Sequence, residues 1–267
     1  MSLVKASFQK IKYSMKYAFW VLNGYFGKTF VLDMPNRVTV LITYYNPMRM
    51  KHVNHQLRNI LKCAFVDKII ISNHNPDVNI VDKLNIQNNR VVILKQDIKR
   101  ACGYRWRIAR DLNPEYLIAI DDDILLFPWQ LETLFKRLIL EPEVPHGFSG
   151  MVRLTDGDFQ YFERENRDVH YLCEVYAVTG DHVEKYFRME ELLANKDQTL
   201  PDAVERLGDF VVISQTGSGN PKIHTIGQLF RSETFKTEGI ALHKENEFPA
   251  VLGKISRAVE DIRPTIL

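Results

Sequence analysis

Three carboxylates stand at the end of an apolar run, for Tyr116 to Trp129 reads YLIAIDDDILLFPW. Tyr116 and Leu117–Ile120 form a continuous apolar stretch of the kind that suits a strand buried on both faces. Asp121, Asp122 and Asp123 follow directly, and apolar residues resume with Ile124–Phe127. Carboxylates so placed repel one another and cannot stay ionised in a dry interior without a partner. A divalent cation is the strongest partner available, and hard oxygen donors suit Mg2+ or Mn2+. Strand alternation puts Asp121 and Asp123 on one face, where they can share an ion, and turns Asp122 to the other. A solvated acidic turn is the competing reading, and the apolar flanks weigh against it.

Elements before this run must position it. The β-branched run 38–43, VTVLIT, reads as a first strand ending in the turn Tyr44-Tyr45-Asn46-Pro47, and a helix is expected over Met48–Lys62. A second strand over 68–73 ends in SNHNPD, a third covers 90–95, and a helix over 103–111 precedes the strand at 116–120. Strands alternating with helices imply a parallel sheet, in which ligands lie beyond the carboxyl ends of the strands. That rule gathers Tyr44–Pro47, Ser72–Asp77 and Asp121–Asp123 around one crevice. Arg100, Arg105, Arg107 and Arg110 lie just before the fourth strand. Arg105 and Arg107 cannot share a helix face, so at most one of that pair points to the crevice, where a guanidinium suits a diphosphate. No GxxxxGK[ST] and no GxGxxG occurs, which weakens P-loop, kinase and dinucleotide-binding readings.

The composition is ordinary for a globular α/β chain of 267 residues, with 45% hydrophobic and 25% charged residues. The net charge of +2 argues neither for nor against nucleic acid as a partner, and the lack of a basic run with interleaved aromatics argues against it. Cys63, Cys102 and Cys173 form no CxxC pair, so neither zinc nor a disulfide framework is expected, and a cytoplasmic location is the easier reading. No apolar stretch reaches membrane-spanning length, and the start is too polar for a secretory signal. Residues 1–36 read as a basic amphipathic helical arm: Val4, Phe8, Ile11, Met15, Phe19 and Leu22 share one face, with Lys5, Lys10, Lys12 and Lys16 around it. Its apolar face either packs on its own domain or another subunit, or lies on a membrane surface through residues 1–32.

A strand ending in Thr43-Tyr44-Tyr45-Asn46-Pro47, a second ending in Ser72-Asn73, an arginine-bearing helix and then Asp121-Asp122-Asp123 resemble the nucleotide-sugar glycosyltransferases of the GT-A fold. The family 2 and exostosin-like family 64 types are the most similar, over about residues 37–224. The resemblance implies a mostly parallel, Rossmann-like sheet flanked by helices, with a smaller acceptor-side sheet. It also implies one catalytic domain over 37–267, with a nucleotide-binding half over 37–128 and an acceptor half over 129–267. On this resemblance Asp121 and Asp123 match the DxD element and bind Mn2+ or Mg2+ against the diphosphate of a donor, a UDP-sugar foremost. Thr43, Tyr44, Tyr45, Asn46 and Asn73 then contact base and ribose, and Arg105 or Arg107 adds charge at the diphosphate, while Asp122, turned away by strand alternation, faces the ribose or makes a structural hydrogen bond.

The second half is expected to serve the acceptor. Helices are predicted over 130–140, from Val183 and over 251–262, strands from 147, over 159–162 and over 170–179, and a loop over 189–202. Asp209 matches the second acid of a pair that the resemblance places at a helix start, where it acts as base or positions the acceptor. Gly208 stands where the first acid is expected, and a simple helix cap is the other reading of Asp209. Asp202 and then Glu205 are the competing candidates. His243 is the expected third metal ligand, with His224 as its alternative, and 227–247 reads as a loop that closes over the diphosphate. The reaction expected is sugar transfer to a hydroxyl of a glycan or other acceptor. A sugar nucleotidyltransferase is the alternative, although TYYNPMRMK lacks a glycine-rich loop, and an inactive nucleotide-sugar-binding module is the third reading.

Overall fold

The computed structural model describes residues 3–32, 35–227, 229–237 and 247–266. Helix α1 (Leu3–Phe26) leads into β1 (Val38–Tyr44), the short α2 (Pro47–Met50), α3 (Val53–Leu61), β2 (Val66–Asn73) and β3 (Val91–Lys95). Then come α4 (Tyr104–Leu112), β4 (Tyr116–Asp121) and α5 (Pro128–Leu140). The second half holds β5 (His146–Gly147), β6 (Ser149–Arg153), β7 (Phe159–Glu163), β8 (Arg167–Asp168), β9 (Tyr171–Cys173) and β10 (Val175–Thr179). It continues with α6 (Gly180–Lys196), α7 (Leu200–Ala203), a π turn at Val204–Gly208, α8 (Asp209–Ser214), β11 (Lys222–Ile223) and α9 (Phe248–Ile266).

An eight-stranded sheet runs β3-β2-β1-β4-β10-β5-β11-β8, and a three-stranded antiparallel sheet runs β7-β6-β9. The first four strands of the large sheet are parallel, and β10 lies antiparallel against β4. Alternate residues of the apolar runs serve the two faces. Val40, Ile42, Ile118 and Ile120 join one core with Leu57, Leu134 and Phe135, while Leu41, Leu117 and Ala119 join another with Trp106, Val212 and Ile255. Each fully buried aliphatic side chain contributes about 1.5–3 kcal/mol. Burial on both faces is therefore what the uninterrupted apolar runs encode.

Three local expectations are corrected. The run 170–179 is two strands in different sheets, because Glu174 adopts a left-handed backbone (φ 68°) that breaks it. The stretch 189–202 is largely helical: α6 begins at Gly180, capped by the Thr179 side chain, and continues to Lys196. The helix expected over 48–62 breaks at Lys51–His52 into α2 and α3.

Helix α1 packs by the face that its periodicity did not select. Trp20 is fully buried against Leu125 and Phe230, and its indole N–H donates to Leu126 O at 2.9 Å. Asn59 Nδ2 donates to Trp20 O at 3.1 Å, and Tyr17 Oη meets His52 Nδ1 at 3.1 Å. The members of the predicted apolar stripe from Phe8 to Leu22 face outward instead.

Candidate active site at the carboxyl ends of the central strands

Strand order reverses between β1 and β4, so their carboxyl ends frame the crevice where α/β sheets bind ligands. Thr43 of β1 sits beside Asp121 of β4 and Ser72 of β2. Asp121 is the last residue of β4, and Asp122–Asp123 lie in the turn that follows. Strand alternation therefore ends two residues too early to pair Asp121 with Asp123. Arg49 holds both turn residues instead, Asp122 through Nη1 at 2.7 Å and Asp123 through Nη2 at 2.9 Å. Its helix is seated by Asn46, whose side chain accepts from Met48 N at 2.9 Å, with Pro47 as the first helical residue.

A second guanidinium serves the other side. Arg105 donates to Asp121 through Nη1 at 2.6 Å, to Cys102 O through Nε at 2.9 Å, and lies 3.3 Å from Asp209 Oδ2. Trp106 Nε1 donates to the same Asp209 oxygen at 2.9 Å. Asp209 opens α8, yet its side chain caps nothing, because it is committed to Trp106 and Arg105. Gly208 has a packing reason. A Cβ there would stand 2.3 Å from Cδ1 of the buried Ile255, so the space for a first acid is occupied.

Asp121, Asp122, Asp123 and Asp209 face Arg49 and Arg105, which leaves a formal excess of two negative charges. Burial pushes the Asp123 carboxyl up to about 8 against the pull of Arg49, with Asp122 and Asp121 adding to the rise. Burial likewise raises Asp122, opposed by Arg49, and Asp209, opposed by Arg105. Asp121 is the most open of the triplet, with 30% of its side chain accessible. The donor type and the charge excess fit a divalent cation. The arrangement is not yet a cage, since no three ligating side chains converge among the described residues. Arg49 occupies the carboxylates that would close one.

A strap crosses the turn. Ser232 N donates to Asp123 O at 2.7 Å, Leu125 N to Phe230 O at 2.8 Å, and Thr234 Oγ1 accepts from Arg49 Nε at 3.1 Å. Arg231 of the strap grips Glu174, Nε to Oε1 at 2.5 Å and Nη2 to Oε2 at 2.7 Å. Ser149 Oγ also donates to Glu174 Oε2 at 2.7 Å, and Asp121 N donates to Glu174 O at 2.9 Å.

The other expected residues are distributed unevenly. Tyr45 is exposed and Asn46 half-buried at the end of β1, but Tyr44 is corrected to a core residue, fully buried with its hydroxyl on Gln56 Oε1. Asn73 is buried and shapes its own turn, donating to Val78 O at 2.5 Å and accepting from Asn75 N at 3.2 Å. Arg107 faces away from the crevice, toward Glu190 at 3.0 Å and Glu205 at 3.4 Å. Asp202 is exposed on α7, and Glu205 is engaged by Arg107. His224 pairs with His146 at 2.9 Å, and His243 lies outside the described residues. Arg49, Trp106 and Glu174 were missed by sequence reasoning, whereas Arg231 falls in the 227–247 loop expected to close over the diphosphate. The signals were an arginine one turn beyond the first strand end and a lone acid inside HYLCEVYAVT.

No protein-family model and no curated protein sequence matches the chain. Among solved structures it is similar to GalNAc-T7 crystallised with UDP, GalNAc and Mn2+, with a TM-score of 0.54 at 8% identity. The match covers 84% of this chain and 54% of that one, so the chain spans about half the length of that structure. The fold is GT-A-like. A looser likeness, to a CMP:2-keto-3-deoxy-manno-octonic acid synthetase complexed with CTP, has a TM-score of 0.47 at 13% identity over 85% of this chain and 99% of that one, and carries no weight here. The GT-A-like arrangement is the large, mostly parallel sheet flanked by helices, with the small antiparallel sheet beside it.

Proposed function

We propose that this chain is a metal-dependent glycosyltransferase that moves a sugar from a nucleoside-diphosphate donor, a UDP-sugar foremost, to a hydroxyl of a glycan or other acceptor. The observation that supports it is the set of four carboxylates and two arginines at the switch point of a GT-A-like sheet. In this reading residues 37–128 bind the nucleotide, residues 129–267 the acceptor, and Tyr45 and Asn46 line the donor side. Asp121 and Asp123 would hold Mn2+ or Mg2+ once Arg49 releases Asp123, with His243 as a third ligand. Bound there, the ion would offset the negative charge that grows on the diphosphate as the sugar bond breaks. Arg105, fixed by Asp209, keeps the Asp121 carboxylate oriented. Arg49, freed from Asp123, is placed to bind a phosphate.

A second reading, binding without transfer, is favoured by Asp209 itself, which is 2% exposed and fully bonded. A base at that position would require Arg105 to turn aside. Nucleotidyl transfer has less support, since the end of β1 caps a helix rather than presenting a glycine-rich loop. Hydrolysis and transfer assays on a UDP-sugar panel with Mn2+ distinguish these readings. The transferase reading expects turnover that Asp123→Ala lowers by about a hundredfold or more. Mn2+-dependent UDP binding without turnover establishes the second reading. Failure to bind any nucleotide with any metal overturns both.

A further inference from the structure

Helix α1 leaves an apolar stripe exposed that the candidate site does not use. Phe8, Ile11, Met15, Phe19, Leu22 and Phe26 follow one another at three- and four-residue spacing. All six are more than half exposed, reaching 69% at Met15 and 83% at Phe26. Solvent-facing residues of a packed helix are ordinarily polar, and a contiguous apolar stripe of this length marks a contact surface. The opposite face is already satisfied, because Tyr13, Tyr17 and Trp20 pack on Phe230, His52 and His55. Among the described residues the helix therefore carries two apolar faces, one packed on its own domain and one exposed. Phe19 also meets Phe127 at 5.7 Å between ring centroids, which extends the stripe toward the half-exposed Trp129.

Charge identifies the occupant. Residues 1–32 contain five lysines, at positions 5, 10, 12, 16 and 28, and no aspartate or glutamate. Lys10 and Lys12 are exposed on α1, Lys12 at the edge of the stripe, and Arg164 lies close enough to Lys16 to act on it together with Lys12. We propose that α1 docks this chain on an anionic lipid surface, its six-residue apolar stripe entering the headgroup boundary and its lysines meeting lipid phosphates. A second copy is the poorer occupant, since a self-complementary contact through α1 would set lysine against lysine with no acid in between. No helix among the described residues is long and apolar enough to cross a membrane, so the contact is with the surface. Because the inner face of α1 rests on Leu125, docking holds the Asp121–Asp123 turn roughly one helix diameter from the lipid.

Co-sedimentation of the full chain with vesicles of phosphatidylcholine, with and without phosphatidylglycerol, tests the proposal independently of any enzymatic activity. The chain is expected to pellet with the anionic vesicles and to bind neutral ones at least about tenfold more weakly. Met15→Asp with Phe19→Asp is expected to abolish binding, and Lys10→Glu with Lys12→Glu to weaken it by about tenfold or more and remove the anionic preference. Both pairs change exposed positions, and a thermal melt matching the unaltered chain checks that they fold. Equal binding to both vesicle types, or none to either, overturns the proposal. So does a dimer in light scattering that Met15→Asp dissociates, since the stripe would then be covered by a second copy.

Discussion

Arg49 and Arg105 do the same formal job, each joining two carboxylates, in surroundings that differ. Arg105 is 4% exposed and bedded among Cys102, Trp106 and Tyr176, with one of its partners, Asp209, sealed behind it. Arg49 rises from a four-residue helix, bonds to the strap through Thr234, and keeps 13% of its side chain accessible. Removing one member of a buried ion pair leaves an uncompensated charge, and the penalty grows with the depth of burial. The Arg105 side therefore reads as fixed scaffold and the Arg49 side as exchangeable. A cation that enters the crevice can replace Arg49 at Asp123, but nothing can reach Asp209 to replace Arg105.

The largest expected effect is that of Arg105→Met. It strands Asp209 and should cost on the order of 3–5 kcal/mol, a fall of about 10 °C in melting temperature, with no recovery on adding Mn2+. Arg49→Met should cost less, about 1–3 kcal/mol, because Asp122 and Asp123 can take up protons or a cation from the nearby surface. In that variant Mn2+ should raise the melting temperature more than it does in the unaltered chain, since Asp123 starts free. Differential scanning fluorimetry with and without Mn2+ checks both. Rescue of Arg105→Met by metal, or equal losses in the two variants, would remove the distinction between scaffold and exchangeable sides.

The sheet was legible because its runs are so regular. VTVLIT and YLIAI leave little choice but strands covered on both faces, and each ends where polar turn residues begin. The partners of the acids were not legible, because ion pairs join residues distant in sequence: Arg49 with Asp123, Arg231 with Glu174, Arg105 with Asp209. The alternation rule also outran its element, since β4 stops at Asp121 and the next two acids obey turn geometry. Periodicity found α1 and its apolar stripe but left open what that stripe meets, and it did not single out the face that packs on the domain. Tyr13, Tyr17 and Trp20 lie on the side that hydrophobicity alone ranks second, and their polar atoms make them good partners for a domain surface.

The smallest effect concerns two histidines, one on each side. His74 and His52 both have pKa values lowered to about 4, in each case mainly by burial. Arg105 lowers His74 further, as does Arg100, whereas Glu233 partly offsets the lowering of His52 by Lys51. A histidine held neutral in the fold contributes stability that is present above the unfolded value near 6.5 and is lost as pH falls from there toward 4. Acidification to pH 5.5 should therefore cost about 1 kcal/mol for each such buried residue, and His74→Asn should make the decline shallower by that amount. Arg105→Met should also let the His74 pKa rise by a fraction of a unit while leaving His52 where it is. Side-chain NMR titration reads both values in one sample. A joint rise would mean that the two guanidiniums share one electrostatic environment, and that the fixed and exchangeable sides are not separate.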